Sequence, residues 1–142
     1  MKPVPLILRD HREELWRRWA DALAGRVDAD YHELVASPLG ERMLRNLLDD
    51  LIVVVQAEEY EVPALMRRIE ERTTADAAHR LELDFAVLDL VVALQVLRGA
   101  MIDTLLDALA LDEMPSFGDT LDQLKAVDAF LDRLVCATMV AA

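Results

Sequence analysis

Three histidines, two serines, one cysteine and many carboxylates are the side chains with which this chain would do chemistry. Ser37 and Ser116 each adjoin a proline at the edge of a periodic segment, a setting that suits helix capping better than nucleophilic attack. The acidic pairs Asp49-Asp50, Glu58-Glu59 and Glu70-Glu71 would point about 100° apart on a helix, so they read as a solvated face and not as paired catalytic acids. Gly25, Gly40, Gly99 and Gly118 are too widely spaced for a phosphate-cradling loop. His11 lies between Asp10 and Arg12, and His32 follows Tyr31. His79 and Glu82 form a lone i, i+3 pair without the remaining ligands of a metal motif. Cys136 stands alone, which excludes an internal disulfide and a cysteine-based metal site and favours a reducing compartment. The expectation is a protein that is not an enzyme, with no catalytic residue, no metal and no cofactor. His79 keeps one alternative role. It falls near the end of one helix, just before a long apolar helix, where a globin carries its haem-binding histidine. Against it, three Phe, two Tyr and two Trp offer haem little to stack on.

Gln95 and Arg98 are the other polar candidates. Three residues apart, they share a helix face, and if buried they require partners. They read either as water-facing residues beside Asp103 or as a polar anchor for a ligand or a neighbouring chain. Both lie in "RLELDFAVLDLVVALQVLRGAMIDTLLDAL", whose longest unbroken apolar run is only Leu90 to Leu94. A spanning helix needs about 20 mostly apolar residues. This stretch therefore reads as a long buried helix of a soluble domain, with its polar residues on a narrow side.

The elements around it all carry helical periodicity. Residues 5–24 place Leu8, Leu15, Trp16, Trp19 and Leu23 on one face and stop at Gly25. Residues 26–36 form a connector containing one helical turn. Ser37 is placed to cap the next helix, with Pro38 in its first turn. Leu44, Leu47, Leu48, Leu51, Ile52 and Val55 make that helix's apolar face, which outweighs the strand preference of Val53, Val54 and Val55. The pattern restarts after Pro63 and turns a corner near Leu83-Asp84. The long helix runs from Phe85 to Leu111, "DEMPSFGD" breaks it, and a last helix starts at Asp119.

In that last helix Phe117, Leu121, Leu124, Val127, Leu131 and Leu134 approximate the three-four spacing of a paired-helix seam, with Phe130, Val135 and Met139 beside it. Two readings stand: an ordinary helix packed on its own domain, or a stripe that pairs with a second copy. The 142 residues suit one domain. Their 54% apolar content argues against disorder, and a net charge of −12 argues against nucleic acid and anionic membrane as partners. The start, "MKPVPLILRDHREELW", is too short in its apolar run for an export signal.

The segments "LRDHREELWRRWADAL", "YHELVASPLGERMLRNLLDDL" and "RLELDFAVLDLVVALQVLRGAM" resemble the N-terminal sensor domain of RsbR-type stressosome proteins, the RsbT co-antagonist N-terminal domain family. The resemblance covers roughly residues 5 to 140. Its motifs are a Trp-bearing first helix, a Leu-rich second helix and a D-x-x-x-A-L-x-x-L-R helix, matched by Asp89, Ala93, Leu94, Leu97 and Arg98. Where the family often has glycine before the long helix, this chain has Asp84, a residue type that tolerates left-handed backbone. The resemblance implies an all-α, globin-like, non-haem bundle of five to six helices with a long central buried helix. It implies a cytoplasmic, homodimeric signal-input domain, the N-terminal part of a longer signalling protein with a C-terminal output domain. A haem-binding gas sensor using His79 and a purely structural oligomerisation module are the alternatives.

Overall fold

The computed structural model describes residues 3–110 and 117–142, and the "DEMPS" break lies outside the described residues. Among the described residues seven α-helices follow one another, where five to six were expected: α1 (Val4–Asp10), α2 (Arg12–Leu23), α3 (Ala29–Ala36), α4 (Pro38–Gln56), α5 (Val62–Glu82), α6 (Val87–Ala110) and α7 (Phe117–Val140). A single 3-10 turn, Glu59–Glu61, joins α4 to α5, and no strand occurs among the described residues.

The first helical segment is not continuous. His11 leaves the helical region at φ −103°, ψ 24°, and divides it into α1 and α2. α1 inserts Val4, Ile7 and Leu8, all fully buried, and packs on α4, α6 and α7, while α2 buries Leu15, Trp19 and Leu23 and packs on α6, α3 and α4. α2 stops as the sequence indicates: Gly25 takes φ +77°, a left-handed conformation that ends helices at little cost for a residue without Cβ. The connector holds two turns of helix, not one, because Tyr31 and Val35 lie four apart and both reach the core.

Ser37 occupies the N-cap position of α4 and Pro38 its first turn, but the Ser37 hydroxyl donates backwards to the Leu34 carbonyl and so closes α3 instead. Gly40 explains the tightness of this corner. A Cβ there would lie 1.8 Å from the Val35 carbonyl oxygen, so only glycine lets α3 and α4 cross so closely. The corner before α6 is Asp84, in left-handed backbone at φ +67°.

α6 runs through the centre of the bundle. α2 packs along it, α7 packs against both α6 and α5, and α1 and α3 lie against α4. Its buried side carries Leu90, Ala93, Val96, Leu97, Ala100, Met101, Thr104, Leu105 and Ala108. Trp19 donates from Nε1 to the Ala93 carbonyl at 2.8 Å, fixing α2 to the middle of α6, and Trp16 donates to the Val35 carbonyl at 2.7 Å. The burial is one-sided. The opposite side of α6 is open, and it exposes Leu88 (67%), Ile102 (46%) and Leu106 (58%) together with Gln95, Gly99 and Asp103. No described helix is long and apolar enough to cross a membrane.

Candidate functional site

A cleft of about 420 Å³ is bounded by α4 and α5, with α6 and α7 beneath it and Tyr31 of α3 at one end. Its size is in the range of small-molecule sites. Leu47, Leu90, Leu94 and Leu134 form an apolar floor, and Asn46, Asp49, Asp50, Arg72, Asp76 and Arg80 form a polar rim. The rim follows from helical periodicity. Asp49 and Asp50 follow the floor residue Leu47 on α4, while Arg72, Asp76 and Arg80 repeat every four residues along α5 and so share one face.

Within the rim the charges divide. Arg72 pairs with Asp50 and bridges the two walls. The Arg80 guanidinium donates to the Asp76 carbonyl of its own helix at 3.3 Å and meets no carboxylate among the described residues. Tyr31 is 3% exposed, packs edge-on against Phe85 at 5.4 Å between ring centroids, and has no hydrogen bond to its hydroxyl among the described residues. Burial raises the Tyr31 phenol above its ordinary value, nearby Arg80 opposes that rise, and Asp89 adds to it.

Arg98 does not stand in this cleft. It donates to Asp132 at 2.6 Å and also to Asp128, clamping α6 to α7. Burial lowers its pKa while the two aspartates raise it, and the net direction is up, so the guanidinium stays charged. Gln95 turns the other way, into a shallow groove between α2 and α6 lined also by Arg18, Arg26 and Gly99. The structure thus separates the two residues whose spacing suggested a shared anchor. His79 is exposed in the last turn of α5 and does not line the cleft. His32 makes a 3.0 Å contact from Nε2 to the Ala20 carbonyl, which ties α3 to α2. No group of three or more potential metal ligands gathers among the described residues.

The α7 stripe is largely turned inward. Val127, Leu131 and Leu134 are buried in this chain's own core, Leu124 is half-buried and Leu121 is exposed. Phe117 begins the helix, and its side chain lies outside the described residues.

Sequence reasoning passed over two features. Tyr31 and Arg80 are 49 residues apart, and nothing in the sequence links them. The open stripe on α6 was legible in principle: Leu88, Val92, Gln95, Gly99, Ile102 and Leu106 alternate in steps of four and three. Leucine and valine on the buried side hid that alternation.

No family model, no curated protein and no solved structure matches the chain.

Proposed function

We propose that this chain is a non-catalytic signal-input and dimerisation domain, a globin-like, non-haem bundle that pairs with its own copy through α6. Its signal would pass to a C-terminal output module in bacterial stress or two-component signalling. The observation that carries the reading is the α6 stripe Leu88, Val92, Gln95, Gly99, Ile102 and Leu106. Four-three spacing is the signature of a helix that meets another helix along a seam. The stripe is also symmetric about position 97. Laid antiparallel on a second copy, Leu88 faces Leu106, Val92 faces Ile102, and the long Gln95 faces Gly99, which has no side chain. Large thus meets large, and the one bulky polar residue meets a vacancy.

Gly99 adds support. A mid-helix glycine costs about 1 kcal/mol relative to alanine. Within the chain nothing lies within 4 Å of where its Cβ would stand, so intramolecular packing gives no reason for glycine there. A partner's Gln95 supplies one.

As a relay, the domain needs two packings of similar energy that a stimulus biases. Movement of α5 relative to α4 would reach the pair through α7 and α6, which Arg98 holds together. The test is Gly99→Leu. In the single chain it fits open space and gains helix propensity, so thermal stability holds or rises, while in the pair it fills the place of Gln95 and sedimentation reports monomer. A Gly99→Leu protein that self-associates as the wild type does removes the antiparallel α6 pairing.

A further inference from the structure

The cleft between α4 and α5 carries an unbalanced set of charges. Arg72 and Asp50 neutralise one another across it. That leaves one cation, Arg80, and two acids, Asp49 and Asp76, none of which forms an ion pair among the described residues. A simple anion meets two carboxylates in a chain of net charge −12, and a simple cation leaves Arg80 without a counter-charge. Asp76 and Arg80 lie four apart on α5, so their heads project over the same strip of the cleft. Tyr31, 3% exposed and with no hydrogen bond to its hydroxyl among the described residues, lines the same space. Below lies the leucine floor.

We infer that this cleft is a receptor site for a small zwitterion with an apolar tail, of which an apolar α-amino acid is the simplest form. The ligand carboxylate accepts from the Arg80 guanidinium and the Tyr31 hydroxyl, its ammonium donates to Asp76, and its tail covers Leu47, Leu90 and Leu94. One tetrahedral carbon presents all three groups, which matches a site where both charges stand above one apolar patch. Charge-assisted hydrogen bonds are the strongest polar contacts such a site can make. The inference deepens the signal-input reading and rests on it for the consequence of binding, whereas binding itself is measured separately.

The experiment titrates the full chain by calorimetry with leucine, methionine and phenylalanine, and with two half-charged relatives of leucine, N-acetylleucine and 3-methylbutylamine. At least one amino acid is expected to bind, about tenfold or more tighter than either relative. Arg80→Gln is expected to weaken that amino acid about tenfold while leaving the amine unchanged, and Tyr31→Phe to weaken it by a smaller factor. Circular dichroism establishes that both variants are folded, and Asp76→Asn, on the exposed rim, provides a second variant, expected to weaken the amino acid and spare N-acetylleucine. No binding by any of the three amino acids, equal binding of the amine or the acetylated compound, or indifference to both Arg80→Gln and Asp76→Asn overturns the inference. Sedimentation with the bound amino acid then separates the two ideas: binding without any change in association sinks the signal-input reading and leaves the site standing.

Discussion

Leu106→Ser tests the α6 pairing at a position where folding and association come apart. Leu88, Ile102 and Leu106 retain 67%, 46% and 58% exposure in the single chain. Full burial of such a side chain is worth about 1.5–3 kcal/mol. The unclaimed part of these three is about 3–5 kcal/mol per protomer, or about 5–10 kcal/mol for a symmetric pair. Association costs about 4–15 kcal/mol in lost freedom, so the three residues alone sustain only a modest dimer, and removing any one of them is felt. Leu106 occurs twice in the pair, and its loss removes about 2–3.5 kcal/mol, a rise of roughly 30- to 300-fold in Kd. The fold itself changes by about 0.5 kcal/mol or less, as for an ordinary surface substitution. Analytical ultracentrifugation across a concentration series gives the Kd, and urea unfolding of the monomer gives the stability. Leu131→Asp is the contrast: Leu131 is fully buried, so a charge there unfolds the chain and does not yield a folded monomer. A wild-type chain that stays monomeric at its highest soluble concentration refutes the reasoning, as does a folded Leu106→Ser protein with an unchanged Kd.

Further outcomes follow from single residues. In the antiparallel pair Asp89 and Asp103 of opposite copies approach each other, so raising salt from low ionic strength is expected to tighten the dimer by screening them, read from the same sedimentation series. Gly40→Ala is expected to cost about 3 kcal/mol in urea unfolding, because its Cβ would overlap the Val35 carbonyl and move α3 off α4. Asp84→Gly is expected to raise stability by about 0.5–1 kcal/mol, since glycine takes φ +67° without the Cβ penalty, while Asp84→Val lowers it. Because the Tyr31 pKa is raised in the folded state above its ordinary 10.0, its contribution to stability is complete below that pH and is lost as pH rises through the folded value. Tyr31→Phe is therefore expected to remove the latest-titrating phenol in an ultraviolet absorbance titration and to flatten the alkaline loss of stability.

The helices were legible because their apolar residues recur at helical spacing over long stretches. α4 and α5 follow the pattern closely, and even Val53, Val54 and Val55 obey the surrounding period. Punctuation read well where a residue has one strong backbone preference, as at Gly25, Pro38 and Asp84. The break at His11 was not legible, since no Gly or Pro marks it and only the divergent packing of α1 and α2 demands it. Ser37 was assigned the right place with the wrong partner, because a hydroxyl at a helix junction can serve either neighbour. Which side of α6 meets the core was legible only in the four-three stripe, which apolar residues on nearly every side mask. Leu97 and Leu106 look alike until α2 and α7 claim one of them. The cleft was the least legible feature, for its rim comes from α3, α4 and α5, and complementary charge across helices leaves no periodic trace.

Gly40 has a mechanical corollary. With the carbonyl of Val35 filling the space a side chain would need, α3 and α4 are locked as a bracket with no slack to slide. Trp16, bonded to that same carbonyl, rivets α2 to the bracket. Across the cleft, by contrast, the link from α4 to α5 rests on a partly solvated ion pair, Asp50 with Arg72. On that far side α5 is held to α7, where Thr74 donates to the Ala137 carbonyl and Glu70 pairs with Arg133, so a change in the width of the cleft moves α5 and α7 together against the fixed bracket.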